Sequence, residues 1–503
     1  MKHVLIFFLS LICWANAIAQ APADTIFDRV LGTNPNPVWV LNHPHRTEAL
    51  LIIQSNLKLL GVQLLDSTGE NTEFVPFSER YKAKDWYSLD AYAVDEQGRY
   101  HLYYYDETSR TLRSRVYDPQ SRSFEVHPAL MTLSKEEKPI SLIGPAPQGV
   151  VFAVVGKRSS RIKLLAFQPG RENEVREWVH DLSKYEFRES PFLNFYSALL
   201  GMDMSRGKFA IAGEGISPFR DRPLSLARIA SKIHTYVDQD HWVLISHSET
   251  DYNLVIDLPF SLGETTQVER LSSSCKECKT AGLRNSPAMV YHQGQLIQFQ
   301  ASHKALGMQV WNLPGFNLEQ EEIYGRRNLY PFGGSNNYET RESGLLFAPI
   351  QSVDSLDAEV VASRFFSALR QGPVYPTITP INKESCALRL TTVNDNDGAV
   401  IMAGVAFGLV GALVASLAVD NRTILMDFTM SIPEWETLPS SPPSAQELNY
   451  SLGQLERKEL RRLIDLYRCG PYLWLIEELP SSSPSKGYRL RRLAWENDGT
   501  SFE

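Results

Sequence analysis

The chain carries none of the short motifs that announce a catalytic centre. It has no HExxH helix, no GxSxG turn, no P-loop and no glycine-rich dinucleotide fingerprint in a usable context. This leaves out reaction classes built on those local arrangements, but not enzymes that gather their groups from distant loops. Basic residues are fewer than acidic ones, 50 Lys and Arg against 58 Asp and Glu, for a formal net charge of −8. With no long basic run to meet phosphates, the balance argues against a nucleic-acid partner. Cysteine is scarce, at five residues. Cys275 and Cys278 form a lone CxxC in a polar stretch (SSSCKECKT), without a second CxxC or a nearby ligand histidine. That weakens a metal role. The loop-like setting also lacks the strand-to-helix turn of a thioredoxin-type pair. A structural disulfide in an oxidising compartment is expected here, with redox and metal roles as alternatives.

What is present is a recurrence of apolar β-formers. Seven runs follow one another at intervals of roughly fifty residues. They are 49–54 (ALLIIQ), 99–105 (RYHLYYY), 149–155 (GVVFAVV), 207–212 (GKFAIA), 241–246 (HWVLIS), 295–300 (QLIQFQ) and 344–350 (GLLFAPI). A second run follows each, at 58–65, 111–117, 161–167, 224–229, 252–256, 307–311 and 359–365. Polar turn residues separate the pairs, which therefore read as hairpins. The pattern resembles the β-propeller architecture, in which each blade is a four-stranded sheet. One such sheet cannot bury both faces alone, and stacking sheets around an axis buries them against one another. Runs apolar on both faces, such as VVFAVV, fit strands held between two neighbours. The blades carry no repeated Gly-His or Trp-Asp pair and no kelch-like glycines, so the resemblance is to the architecture and not to a named family. The expected fold is mainly β: a propeller of about seven four-stranded blades over residues 38–370, with six or eight also fitting. One interval is longer and the next shorter, so the fourth blade is the least regular. A large β-sandwich, or two in tandem, is the alternative.

The first nineteen residues read as an export signal. Lys2 supplies the charge, residues 4–14 the apolar core, and Ala17-Ile18-Ala19 a small-x-small cleavage site. Leu11 and Ile12 are too large for a lipidation site at Cys13. The protein is expected in the periplasm or cell envelope. From Ala399 to Val419 the chain runs 21 residues without a charge, long enough to cross a bilayer as a helix. Gly404 and Gly408 form one GxxxG. Its many small residues and lack of flanking Trp or Tyr suit a helix buried in protein instead. A single-pass membrane association through Ala399 to Val419 is thus one of two expectations. The preceding 394–398 (NDNDG) fails as a calcium loop, because Val393 and Gly404 fall where oxygen ligands belong.

Residues 371–398 read as a linker or closing strands, and 420–503 as a small α+β unit. In that unit 423–431 alternates as a strand. A helix is expected from the capping box of Ser444 and Glu447 through the apolar stripe ending at Leu463, Ile464 and Tyr467. Gly470-Pro471 would stop it, with strands at 472–479 and 488–495 after it. Among possible ligand contacts, Arg220, Asp221 and Arg222 in the loop SPFRDRP could meet an anion, or equally form a solvated insertion. His241 and His247 flank one strand and read as ordinary strand-end residues. No catalytic, cofactor or metal residue is assigned. The function expected is a non-catalytic envelope scaffold whose propeller face binds a protein or glycan. The alternative is an exported propeller enzyme acting on polysaccharide or peptide.

Overall fold

A computed structural model describes residues 39–43, 48–55, 58–65, 75–76, 91–126, 129–171, 174–185, 214–216, 233–247, 252–261, 264–272, 288–302, 304–325, 337–343, 365–367, 374–380, 385–394, 420–432, 434–435, 463–469, 472–478 and 488–494. They are mainly strands, in antiparallel sheets that are mostly four-stranded. The chain divides into two compact units, Met1–Trp86 with Glu459–Glu503, and Tyr87–Lys458.

The first unit holds sheet one, ordered β1 (Trp39–Asn42), β2 (Ala49–Ser55), β3 (Lys58–Leu65) and β4 (Val75–Pro76). The second unit begins with sheet two: β5 (Ala91–Val94), β6 (Tyr100–Asp106), β7 (Thr111–Asp118) and β8 (Ser123–Val126), with β9 (Met131–Thr132) also on β7. Sheet three is β10 (Glu137–Ala146), β11 (Gly149–Gly156), β12 (Arg161–Phe167) and β13 (Arg176–Asp181). Sheet four has a short β14 (Glu214–Ile216) parallel to β15 (Ile233–Val237), then β16 (His241–Ser246), β17 (Tyr252–Pro259) and β18 (Gln267–Ser272). Sheet five is β19 (Ala288–His292), β20 (Gln295–Ala301), β21 (Ala305–Asn312) and β22 (Asn317–Gly325). Sheet six breaks the sequential order. Its members β23 (Asn337–Ser343), β24 (Val374–Pro380), β25 (Ser385–Asn394) and β26 (Asp420–Ser431) lie as β23-β26-β25-β24. Sheet seven, β27 (Leu463–Cys469), β28 (Tyr472–Glu478) and β29 (Tyr488–Ala494), belongs to the first unit, where β27 lies against β1.

In the second unit the core lies in the gaps between successive sheets. Strand β11 shows why the chain needs this stacking. Its Val150, Phe152 and Val154 pack with Tyr103, Tyr105 and Leu112 of sheet two. Its Val151, Ala153 and Val155 pack the other way, with Trp242, Leu244 and Ile256 of sheet four. A strand apolar on both sides thus serves two neighbours, as its sequence implied. Tyr236, Val243 and Ile245 meet Met289, Tyr291 and Leu296 between sheets four and five. Phe299, Met308 and Val310 meet Leu388, Leu390, Met430 and Trp435 between sheets five and six.

Short polar side chains close the hairpins. Asp106 Oδ1 accepts the backbone N–H of Thr108 at 2.9 Å and of Ser109 at 3.1 Å. Asp95, Asp118, Asp181 and Asp238 do the same in their own turns, and Ser302 Oγ serves Lys304 and Ala305. These are Asx and Ser turns, in which the side chain replaces a missing backbone acceptor. Gly149 follows another tight turn at φ +94°, where an added Cβ would lie 2.3 Å from the Phe167 carbonyl oxygen, so glycine is required.

Most expected hairpin runs coincide with strands. The runs at 207–212, 224–229 and 344–350 lie outside the described residues. So do residues 359–364, and Phe365 begins a buried helical turn. The strand expected at 423–431 is β26, paired with β25 inside sheet six and not set in a separate C-terminal unit. The stripe ending at Leu463, Ile464 and Tyr467 does not finish as a helix. These residues lie in β27, and Cys469 pairs with Tyr472, so Gly470-Pro471 links a hairpin. Strand pairing there overrides the helical spacing. The segment from Ala399 to Val419 lies outside the described residues. Its flanks do not: Asn394 pairs with Arg422 and Val393 with Thr423. Among the described residues no helix is long and apolar enough to cross a membrane.

Candidate functional site

A set of ionisable groups gathers at one end of sheets three to five. It starts from the turn between β15 and β16. Asp238 Oδ1 accepts the backbone N–H of Asp240 at 3.0 Å and of His241 at 2.7 Å. Its other oxygen accepts the hydroxyl of Tyr291 from sheet five. Gln148 of sheet three donates its amide to the carbonyls of Asp238 and Gln239. One turn thus ties three sheets together.

His241 opens β16 beside this turn. Asp257 reaches it from β17, where the register sets Asp257 opposite Val243. His241 Nδ1 lies 2.8 Å from Asp257 Oδ1. A carboxylate only accepts, so Nδ1 carries the hydrogen and Nε2 is the exchangeable face. Asp257 is 1% exposed. Nε2 faces the exposed Glu264, whose Oε2 is 3.8 Å away. The hydrogen bond to Asp257 raises the His241 pKa above the ordinary imidazole value against opposing burial, and the charges of Asp257, Asp238 and Glu264 add to the rise. Burial pushes the Tyr291 phenol upward, and the neighbouring Asp238 adds to it.

Chemically, a buried aspartate orienting an imidazole can hold or pass a proton at Nε2. Among the described residues no hydroxyl or thiol hydrogen-bonds to His241, so the pair has no nucleophile poised on it. Asp240 and Glu264 give the end an acidic rim.

The pair carries a prediction. A raised folded pKa contributes stability that is fully present below the unfolded imidazole pKa and is lost as pH rises through the folded value. His241→Gln should remove that alkaline-side slope and cost about 2 kcal/mol at pH 6, since Asp257 loses a charge-assisted partner. Urea titrations of both proteins between pH 6 and 9 measure this. Parallel pH curves would refute the assignment.

Of the residues singled out in the sequence, Arg220, Asp221, Arg222, Cys275 and Cys278 lie outside the described residues. His241 is not an ordinary strand end, being held by Asp257, and His247 is held by Asn253 at 2.8 Å. The missed signal was Asp257 itself, a carboxylate inside an apolar run (NLVIDLP) that a core strand tolerates only with a partner.

No known protein family matches the chain, and no curated protein matches it. Several solved structures are similar to it at a low level. The β-propeller domain of the trilobed protease of Pyrococcus furiosus is 9% identical, with 93% of this chain and 96% of that chain covered, at a TM-score of 0.34. A putative 6-phosphogluconolactonase of Bacteroides uniformis is 11% identical over 60% of this chain and 78% of that one, at 0.30. Prolyl oligopeptidase B of Galerina marginata is 8% identical over 61% of this chain and 37% of that one, at 0.29.

Proposed function

We propose that the chain is a non-catalytic scaffold of the cell envelope. In this reading the successive sheets are blades of a β-propeller of about seven, and the acidic end around His241 binds a protein or glycan partner. The observation that carries the proposal is the use made of the polar groups there. Asp238, Tyr291 and Gln148 bind sheet to sheet, which makes the end a rigid platform, while Asp240 and Glu264 remain exposed to meet a partner. Rigid platforms bearing a few exposed groups suit recognition, because little side-chain order is lost on binding. The propeller arrangement is supported by contacts between successive sheets, in which β5 lies against β10, β10 against β15, β16 against β19, and β19 against β24. The envelope address is supported by Lys2, the apolar core at 4–14 and Ala17-Ile18-Ala19.

One observation favours a second reading, an exported propeller hydrolase or lyase: the Asp257–His241 pair has the geometry of an oriented general base. A single comparison separates the two. Photocrosslinking from position 239, exposed beside Asp240, in cells should give one discrete partner band, and Asp240→Lys with Glu264→Lys should abolish it. Purified protein should leave envelope glycans and peptides uncleaved. Turnover that disappears in His241→Gln would replace the scaffold with the enzyme, and crosslinking that ignores the charge reversal would remove this face as the binding surface.

A further inference from the structure

At the opposite end of sheet four from His241, a second pair of histidines meets in the gap facing sheet five. His234 lies on β15 and alternates with Ile233 and Val237, which face sheet three, so it shares the side of Tyr236 toward sheet five. His247 follows β16 directly. Its Nε2 lies 3.3 Å from His234 Nδ1, with ring centroids 5.0 Å apart and planes crossed at 73°. His247 Nδ1 lies 2.8 Å from Oδ1 of Asn253, a side chain with no exposure at all.

Three features of this arrangement suit a cation. Separation comes first. Hydrogen bonds from N–H to oxygen cluster at about 2.7–3.2 Å, and those to nitrogen run slightly longer. Two imidazole nitrogens each about 2.0–2.1 Å from a tetrahedral zinc ion stand about 3.3–3.4 Å apart. The observed 3.3 Å fits a pair of ligands on one tetrahedral ion as well as a long N–H···N hydrogen bond. Tautomer comes next. With Asn253 Oδ1 accepting from Nδ1–H, the lone pair of neutral His247 sits on Nε2, toward His234. That is how an outer partner fixes a metal-binding imidazole. The third is the polarity of the gap. Asn253 Nδ2 has no hydrogen-bond partner, and neither do Gln298 Oε1 and Nε2 or Gln300 Oε1. Gln298 is 1% exposed and Gln300 6%. Both alternate with Ile297, Phe299 and Ala301, which face sheet six, so they face the same gap as His234. Buried amides without partners call for ordered polar content. Water on a bound ion would supply donors to the two glutamine oxygens.

The geometry points to a binding site for a borderline divalent cation of the zinc class, held by His234 Nδ1 and His247 Nε2 and completed by water, with Asn253 as the positioning residue. Among the described residues no group of three or more His, Cys, Asp or Glu converges on one point. The two imidazoles are therefore the described protein ligands. Nitrogen donors select zinc, nickel or copper over calcium or magnesium.

The test uses the untagged full chain, stripped with chelator and dialysed against Zn2+, with Co2+ as the optical probe. The wild-type chain should retain one more equivalent of zinc than the His234→Gln, His247→Gln double variant. Its Co2+ form should show the intense visible bands of four-coordination, which the variant lacks. Asn253→Ala should weaken binding about 10–100-fold. Asn253→Asp should tighten it, because a carboxylate on Nδ1–H makes Nε2 more basic; this variant keeps the side-chain shape and guards against misfolding in the others. Equal zinc stoichiometry in wild type and double variant would overturn the site and leave a histidine–histidine hydrogen bond among ordered waters. So would Asn253→Asp binding zinc no more tightly than Asn253→Ala.

Discussion

Phe152→Ala should lower the unfolding free energy by about 3–5 kcal/mol, enough to cancel much of the stability of an ordinary domain. Phe152 is fully buried on β11 and faces sheet two, with its ring 5.9 Å from that of Tyr105. The cost has two parts: lost transfer of the ring out of water, and a cavity that neighbouring strands cannot close. Val150 and Val154 flank it on the same face, and both are β-branched with little rotamer freedom to move into the space. Denaturant unfolding followed by tryptophan fluorescence measures the loss. A change below about 1 kcal/mol would mean that sheets two and three do not stack across this face. Phe152→Leu, which keeps most of the volume, should recover over half of the loss.

Acid should weaken the second unit through one residue. His292, on β19 facing sheet six, is 6% exposed, its Nε2 has no hydrogen-bond partner, and its ring meets the Trp435 indole edge-on. Burial disfavours the charged imidazolium and lowers the pKa to about 4 from 6.5. The unfolded chain therefore takes up this proton first. Stability falls as pH drops through 6.5 and levels off below about 4. A difference of 2.5 pH units at 1.36 kcal/mol each gives a loss of about 3 kcal/mol. His292→Gln should flatten this part of the acid slope. The direction is opposite to that at His241, so a chain carrying both substitutions should lose curvature on both sides of neutrality. If His292→Gln and the wild-type chain decline in parallel between pH 6.5 and 4, His292 is not the proton acceptor.

The strands were legible where composition and period agree. GVVFAVV could only be an inner strand, since no alternation gives it a wet face, and it fills two cores. HWVLIS and RIKLLAF matched their strands end to end. The stretch ending in LIDLY misled because its leucines also fall at helical spacing. What decides it is a partner, YLWLIEE, that can be paired only once the turn between them is formed. Spacing along the chain does not contain that information. The candidate sites were less legible still. His241 and Asp257 are sixteen positions apart, and His234 and His247 thirteen. Each pair meets because β15, β16 and β17 are neighbours in register. A search for contiguous motifs cannot find groups that a hairpin brings together.

The order of sheet six has a consequence for biosynthesis. Sheets two to five each assemble from strands adjacent in sequence, so each can close soon after its own residues emerge. Strand β23 must wait for β26, with Arg341 meeting Arg422. The first unit waits longer, because Met1–Trp86 clusters with Glu459–Glu503, which is made after the whole second unit. A nascent chain stalled before residue 459 would therefore hold a finished middle and an unfinished beginning, and its leading strands would be the segment most in need of a chaperone.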